Sequence, residues 1–272
     1  MPYAFGAAAG GAFPQLTITQ SMTWVPPMDG NICIHVVGAG GSGQGHSQYA
    51  PHGGGGGAYG KVPSLAVTTS GSFTLVVGVG GVSQGAGNVG LIGGSSTIAG
   101  TGLTGTKTCG GGGPGTTSFS VGGTVSGSGE GWVGYAGGAG RLGGGAVGVH
   151  GTGEQGGTAT HKTGGMTDAA SGGLGMSGFG IICGGSQKSY CNDWQAAAQP
   201  SVVHGMAFPA GDLCGGGAVV GTEGYRFYRG SDGGIGGGGG GGQSATGWGP
   251  GNPYSYSGAG GDGIILIQYL PW

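Results

Sequence analysis

Almost a third of this chain is backbone without a side chain: glycine fills 82 of its 272 positions. Glycine loses more conformational freedom on folding than any other residue, so ordering such a chain is costly. It folds only if bare backbone does something that side chains would obstruct. The glycines are also unevenly placed, with short β-type runs bracketing the densest stretches. That arrangement points to a packed scaffold rather than to a catalyst.

Composition narrows the alternatives. Charged residues are 6% and hydrophobic residues 36% of the chain, both below ordinary globular shares, so an apolar core serves only part of it. Disordered chains combine low hydrophobicity with high net charge, whereas the net charge here is −2. Twelve prolines and no sustained Gly-X-Y period exclude collagen. The 7 basic and 9 acidic residues leave no electrostatic footprint for nucleic acid or an anionic membrane. Met1–Phe5 has no basic region, and Gly6, Gly10 and Gly11 interrupt the apolar stretch, unlike a signal peptide. No apolar run is long enough for membrane insertion. The cysteines (Cys33, Cys109, Cys183, Cys191 and Cys214) are odd in number and scattered. Free thiols made in a reducing compartment are the favoured reading, with a Cys183–Cys191 bridge as the alternative.

Three regions have the β-branched and aromatic content of strands. They are Leu16–Thr19 with Met22–Val25 and Ile32–Val37, Lys61–Val67 with Ser72–Val77, and Gly263–Leu270. The last is apolar on both faces, which predicts a central buried strand. Its expected partners are the strands before residue 80, closing one β-sandwich.

Between about Gly78 and Gly261, glycine-dense pieces such as Gly110–Gly113, Gly131–Gly145, Gly172–Gly185 and Gly233–Gly242 alternate with mixed ones. Gly131, Gly134, Gly137, Gly140 and Gly143 recur every third residue, the period of a left-handed polyproline II helix. Such helices lack internal hydrogen bonds, so buried ones must pair with neighbours. The expected fold is all-β with polyglycine II/polyproline II helices. A small β-sandwich frames a glycine-rich helix bundle, with almost no α-helix beyond one turn at Trp194–Gln199. Residues 1–15 read as an N-terminal attachment segment and 16–272 as the glycine-rich domain. Its β frame lies at 16–80 and 260–270, and its bundle with loops at 81–259.

Motifs for chemistry are weak. Gly38-Ala39-Gly40-Gly41-Ser42-Gly43 matches the dinucleotide fingerprint formally, but a non-helical loop comes next and the next acidic residue after Asp29 is Glu130. A chain this rich in glycine produces such a match by chance. Gly60-Lys61-Val62 is no Walker A motif. The histidines (His35, His46, His52, His150, His161, His204) and cysteines lack metal-ligand spacing. The carboxylates Glu130, Glu154, Asp168, Asp193, Asp212, Glu223, Asp232 and Asp262 are isolated. No residue is assigned to catalysis, a metal or a cofactor.

The stretches 186–209, 222–232 and 248–256 are rich in side chains. They carry Tyr190, Asp193, Trp194, Tyr225, Arg226, Phe227, Tyr228, Arg229, Trp248, Tyr254 and Tyr256. Aromatic and arginine side chains dominate binding hot spots, and Tyr among Ser, Gly and Asn is the texture of antibody-type loops. These residues are the candidate contacts with a receptor or partner. The competing reading has them capping the apolar ends of the bundle. Trp132 and Tyr135 fall in the triplet run and read as packing on the bundle surface.

Thr23-Trp24-Val25-Pro26 leading to Ile34-His35-Val36-Val37-Gly38-Ala39-Gly40-Gly41 resembles the opening of the glycine-rich domain of bacteriophage tail fibres and tail tips. Gly53–Gly57 with Ala58-Tyr59-Gly60, and Phe73–Gly81, continue the likeness, and Gly260–Tyr269 is similar to the family's closing strand. The wider architecture resembles the detachable adhesins of T-even-type long tail fibres, in which polyglycine II helices carry receptor-binding loops. Those adhesins have a separate fibre-attachment domain where this chain has residues 1–15.

The resemblance implies a non-enzymatic virion protein, assembled in the host cytoplasm, that binds the bacterial surface as a tail-fibre or tail-tip adhesin. Its implied partners are other tail or fibre proteins and a bacterial receptor, protein or glycan, with room for a homo-oligomer. Low charge predicts attachment that depends weakly on salt. The alternatives are a purely structural virion protein (fibre segment or capsid decoration) and an ice-binding glycine-rich protein.

Overall fold

The computed structural model describes residues 15–45, 52–85, 87–140, 144–148, 151–153, 155, 230, 232–241 and 256–271. It also gives the backbone of strand residues 5–6, 46, 168–170, 201–203, 206–208, 218–220, 228–229, 242–243 and 255. The described chain is all-β and contains no helix. Its strands are numbered β1 to β19 along the sequence.

Six strands form the first sheet: β1 (Phe5–Gly6), β2 (Gln15–Ile18), β4 (Gly30–Val37), β6 (Tyr59–Val67), β11 (Val133–Tyr135) and β19 (Ile264–Tyr269). Their order is β1-β2-β19-β4-β6-β11, antiparallel throughout. The C-terminal strand therefore sits between two early strands, with Ile264, Ile265, Leu266 and Ile267 all buried, as its unbroken apolar run demands. Between β4 and β6 the register shifts at Ile32/Ile34. Pro63 lies in that irregular stretch of β6, where the ladder does not require its missing N–H.

The second sheet is also antiparallel, in the order β10-β9-β8-β7-β3. It comprises β3 (Met22–Trp24), β7 (Phe73–Val76), β8 (Ser96–Gly100), β9 (Lys107–Cys109) and β10 (Val125–Ser126). Side chains from both sheets meet in one buried cluster. Ile18, Ile34, Val36, Val62 and Ile265 come from the first sheet, and Trp24, Phe73, Leu75, Ile98 and Cys109 from the second. The rings of Trp24 and Phe73 are 5.5 Å apart. Strands β8 to β10 come from within the stretch that the sequence reading gave to the glycine bundle. Likewise Gly134, in the triplet run, is a strand residue opposite Gly60.

Outside the turns at 85–88 and 234–237, the remaining glycine segments hydrogen-bond to one another rather than internally. Residues 38–45 leave the first sheet at the end of β4. The amides of Gly38, Gly41 and Gln44 donate to Ala58, Gly55 and His52; those of Ala39, Ser42 and Gly45 donate to Gly94, Leu91 and Asn88. Gly40 and Gly43 donate to Gly261 and Gly258. Successive residues thus address three different neighbours, and the pattern repeats every third residue. Carbonyls of the same segment accept from Gly81, Gly112, Gly115 and Gly239, so six segments surround this one.

The registers also give direction. Segments 38–45, 78–85, 110–115 and 237–243 run away from the sheets, and 52–58, 88–94 and 258–263 run back. Such packing requires the missing side chain: a Cβ on Gly40 would lie 1.9 Å from the Gly237 carbonyl oxygen, and one on Gly122 1.8 Å from that of Gly137. No real Cβ tolerates either distance.

Candidate binding end

The outward segments end far from the sheets, and there the chain makes its short parallel pairings. β5 (Gly45–His46), β17 (Gly242–Gln243) and β15 (Ala218–Val220) align in parallel, so that His46, Gln243 and Val220 share one register position. β12 (Asp168–Ala170) flanks β15 antiparallel. Beside them β16 (Tyr228–Arg229) pairs in parallel with β18 (Ser255–Tyr256), setting Arg229 opposite Tyr256. A separate hairpin joins β13 (Ser201–Val203) to β14 (Met206–Phe208).

Tyr256 is held from below by backbone. It bridges to Gly85, and its carbonyl accepts from Gly230 N at 2.9 Å. Ser257 next to it is buried and ties the segment down. Its Oγ accepts from Gln84 N at 2.8 Å, and its carbonyl accepts from Ser83 Oγ at 2.5 Å. The Tyr256 side chain stays 44% exposed above this anchor. A fixed base under an exposed aromatic is the arrangement that limits the ordering cost of binding.

Three of the sequence-derived contact residues, Tyr228, Arg229 and Tyr256, are thus brought to one end of the molecule. Tyr190, Asp193, Trp194, Tyr225, Arg226, Phe227, Trp248 and Tyr254 lie outside the described residues, as do the helical turn at Trp194–Gln199 and the Cys183–Cys191 pair. In the chain, 244–254 falls between β17 and β18, and 221–227 between β15 and β16. The sequence reading missed Ser83, Gln84 and Ser257, and no local signal marks them: small polar residues beside glycine occur throughout this chain.

Elsewhere, polar groups are spent on structure. The Asp29, Asp232 and Asp262 carboxylates each accept a backbone N–H at 2.7 Å, from Thr69, Ala259 and Gly80. Lys107 is fully buried and forms an ion pair with Glu130 at 2.5 Å. Its ammonium also donates to the Thr104 and Ser128 carbonyls. Hydrogen bonds from Lys107 and Thr104 hold the Glu130 carboxyl down at about 2. Glu130 reaches them from a left-handed backbone (φ +48°), a conformation uncommon outside glycine.

Cys33, His35 and Tyr59 form a buried polar chain. Cys33 Sγ lies 3.3 Å from His35 Nε2, and His35 Nδ1 lies 2.7 Å from Tyr59 Oη. Burial pushes the Cys33 thiol up, with Lys61 opposing, which is the reverse of an activated nucleophile. Cys33 and Cys109 are free and buried. No group of three His, Cys, Asp or Glu able to hold a metal occurs among the described residues. His52 stands edge-on to Phe119, ring centroids 5.2 Å apart.

A family model described as a glycine-rich domain matches residues 17–270. The chain belongs to the glycine-rich domain family. The match begins within β2 and ends beyond β19, so both the sheets and the glycine segments between them fall inside one glycine-rich domain. No curated protein matches the chain significantly.

Proposed function

We propose that this glycine-rich domain is a phage virion protein: a tail-fibre or tail-tip adhesin that binds the bacterial surface through loops on a polyglycine scaffold. In this reading the two sheets form a sandwich frame, and the glycine segments are a bundle of polyglycine II helices. The three-residue rotation of hydrogen-bond partners along 38–45 supports the bundle. The binding role rests on one observation, the gathering of Arg229 and Tyr256 in register at the end remote from the sheets.

Binding would need no chemistry. Main-chain hydrogen bonds fix the loop bases before contact, and aromatic and guanidinium groups supply the contact energy. With 6% charged residues, attachment should vary little between low and physiological salt.

The test uses purified protein on a panel of bacterial cells, with antibody labelling of phage particles as a companion. Tyr256→Ala with Arg229→Ala is expected to weaken cell binding at least tenfold, on the order of 1.4 kcal/mol, with an unchanged circular dichroism spectrum. The label should sit at a free distal end of the tail. Unaltered cell binding by the double variant, or a label buried along a fibre or on the capsid, would favour a purely structural role instead.

A further inference from the structure

One side of the glycine region is apolar and bare. Val79, Val82, Val89, Ile92 and Val121 are each more than half exposed. Their segments are direct neighbours. Gly94 N donates to the Val79 carbonyl, Gly93 and Gly90 donate to Gly112 and Gly115, and Gly113 donates to the Val121 carbonyl. Segments 78–82, 89–94, 112–115 and 121 therefore lie edge to edge. These five residues expose on the order of 500 Å², toward the upper end of what a monomer ordinarily leaves bare.

The face carries little charge, the Asp262 carboxylate reaching its edge to accept from Gly80 N at 2.7 Å. From Val62 to Gly129 the sequence holds one charged residue, Lys107, and that side chain is buried against Glu130.

We propose that this face is a homodimer interface, docking on the same face of a second copy about a two-fold axis. A charged partner would find only the Asp262 carboxylate at the edge to pair with, whereas a second copy brings matching apolar surface. The five residues supply more than half of the roughly 800 Å² that each partner contributes to a stable complex. Hydrogen bonds between adjacent segments fix the surface in advance, so docking orders little. The inference does not depend on the adhesin reading, because it involves none of the loop residues.

Sedimentation velocity of the full chain from roughly 1 to 100 µM tests it, and the expected result is a dimer across most of that range. Ile92→Glu with Val121→Glu should raise the dissociation constant at least about 100-fold. Val25→Glu, an exposed position on the chain following β3, should leave it unchanged. If the double variant loses its native circular dichroism, Val82→Lys supplies the same comparison. A wild-type chain that stays monomeric at about 100 µM overturns the proposal, whether the face is then bare or covered by a different protein. So does a correctly folded Ile92/Val121 variant that dimerises like the wild type.

Discussion

At single positions, the decisive quantity is the space for one carbon atom. Gly40 has backbone of Gly237 where its Cβ would stand, whereas the nearest atom to a Cβ on Gly85 is a Tyr256 ring carbon at 3.7 Å. Gly40→Ala should therefore destabilise by at least about 3 kcal/mol, beyond ordinary overpacking because backbone cannot rotate away. Gly85→Ala should cost less than about 1 kcal/mol. Urea unfolding of the two variants measures the contrast. Sequence alone could not rank these two glycines, because only the approach of distant segments separates them.

Glu130 gives a second test at this scale. Its carboxyl is held at about 2 against an ordinary 4.5. Because the folded value is depressed, its contribution is complete above about 4.5 and disappears as pH falls through about 2. Glu130→Gln should unfold at lower temperature than wild type at pH 7. The gap should narrow progressively below pH 4.5 and close near pH 2. A gap independent of pH would mean that the ion pair with Lys107 contributes nothing.

At the scale of elements, the two sheets are held by a mixed core and the glycine segments by backbone. Phe73 is buried against Trp24 in the cluster to which both sheets contribute, so Phe73→Ala should cost about 3–5 kcal/mol in chemical denaturation. The long apolar strands were legible, including the central place of β19, because β-branched runs between turn residues specify buried strands. The short strands β8, β9 and β10 were not. Ser96–Gly100 and Lys107–Cys109 are short, and beside Ile98 and Cys109 their buried residues include Ser96 and Lys107, which periodicity does not mark as core. Trp132 and Tyr135 show the same limit. Triplet spacing placed them on the bundle surface, but the Trp132 ring covers Gly60 of β6, and Tyr135 stacks parallel to Tyr59, at 6.5 Å. A glycine in a strand leaves a gap that a neighbouring aromatic fills, and only the register of β11 on β6 reveals which one.

Across the whole molecule, the sheets close one end and the outward glycine segments project from it. Low charge, scattered histidines and the absence of ligand spacing were readable from composition. The convergence of Arg229 with Tyr256 was not, because it depends on chain direction in segments whose sequences are nearly identical. The account stands or falls on the glycine segments being a hydrogen-bonded solid rather than loose linkers. Amide hydrogen exchange followed by NMR tests this directly at Gly38–Gly45 and Gly54–Ala58. Every amide there donates to another segment, so these glycines should exchange as slowly as the β4 and β19 core, at the rate of global unfolding. Exchange of Gly40, Gly41 and Gly43 within seconds, as in an open glycine loop, would contradict it.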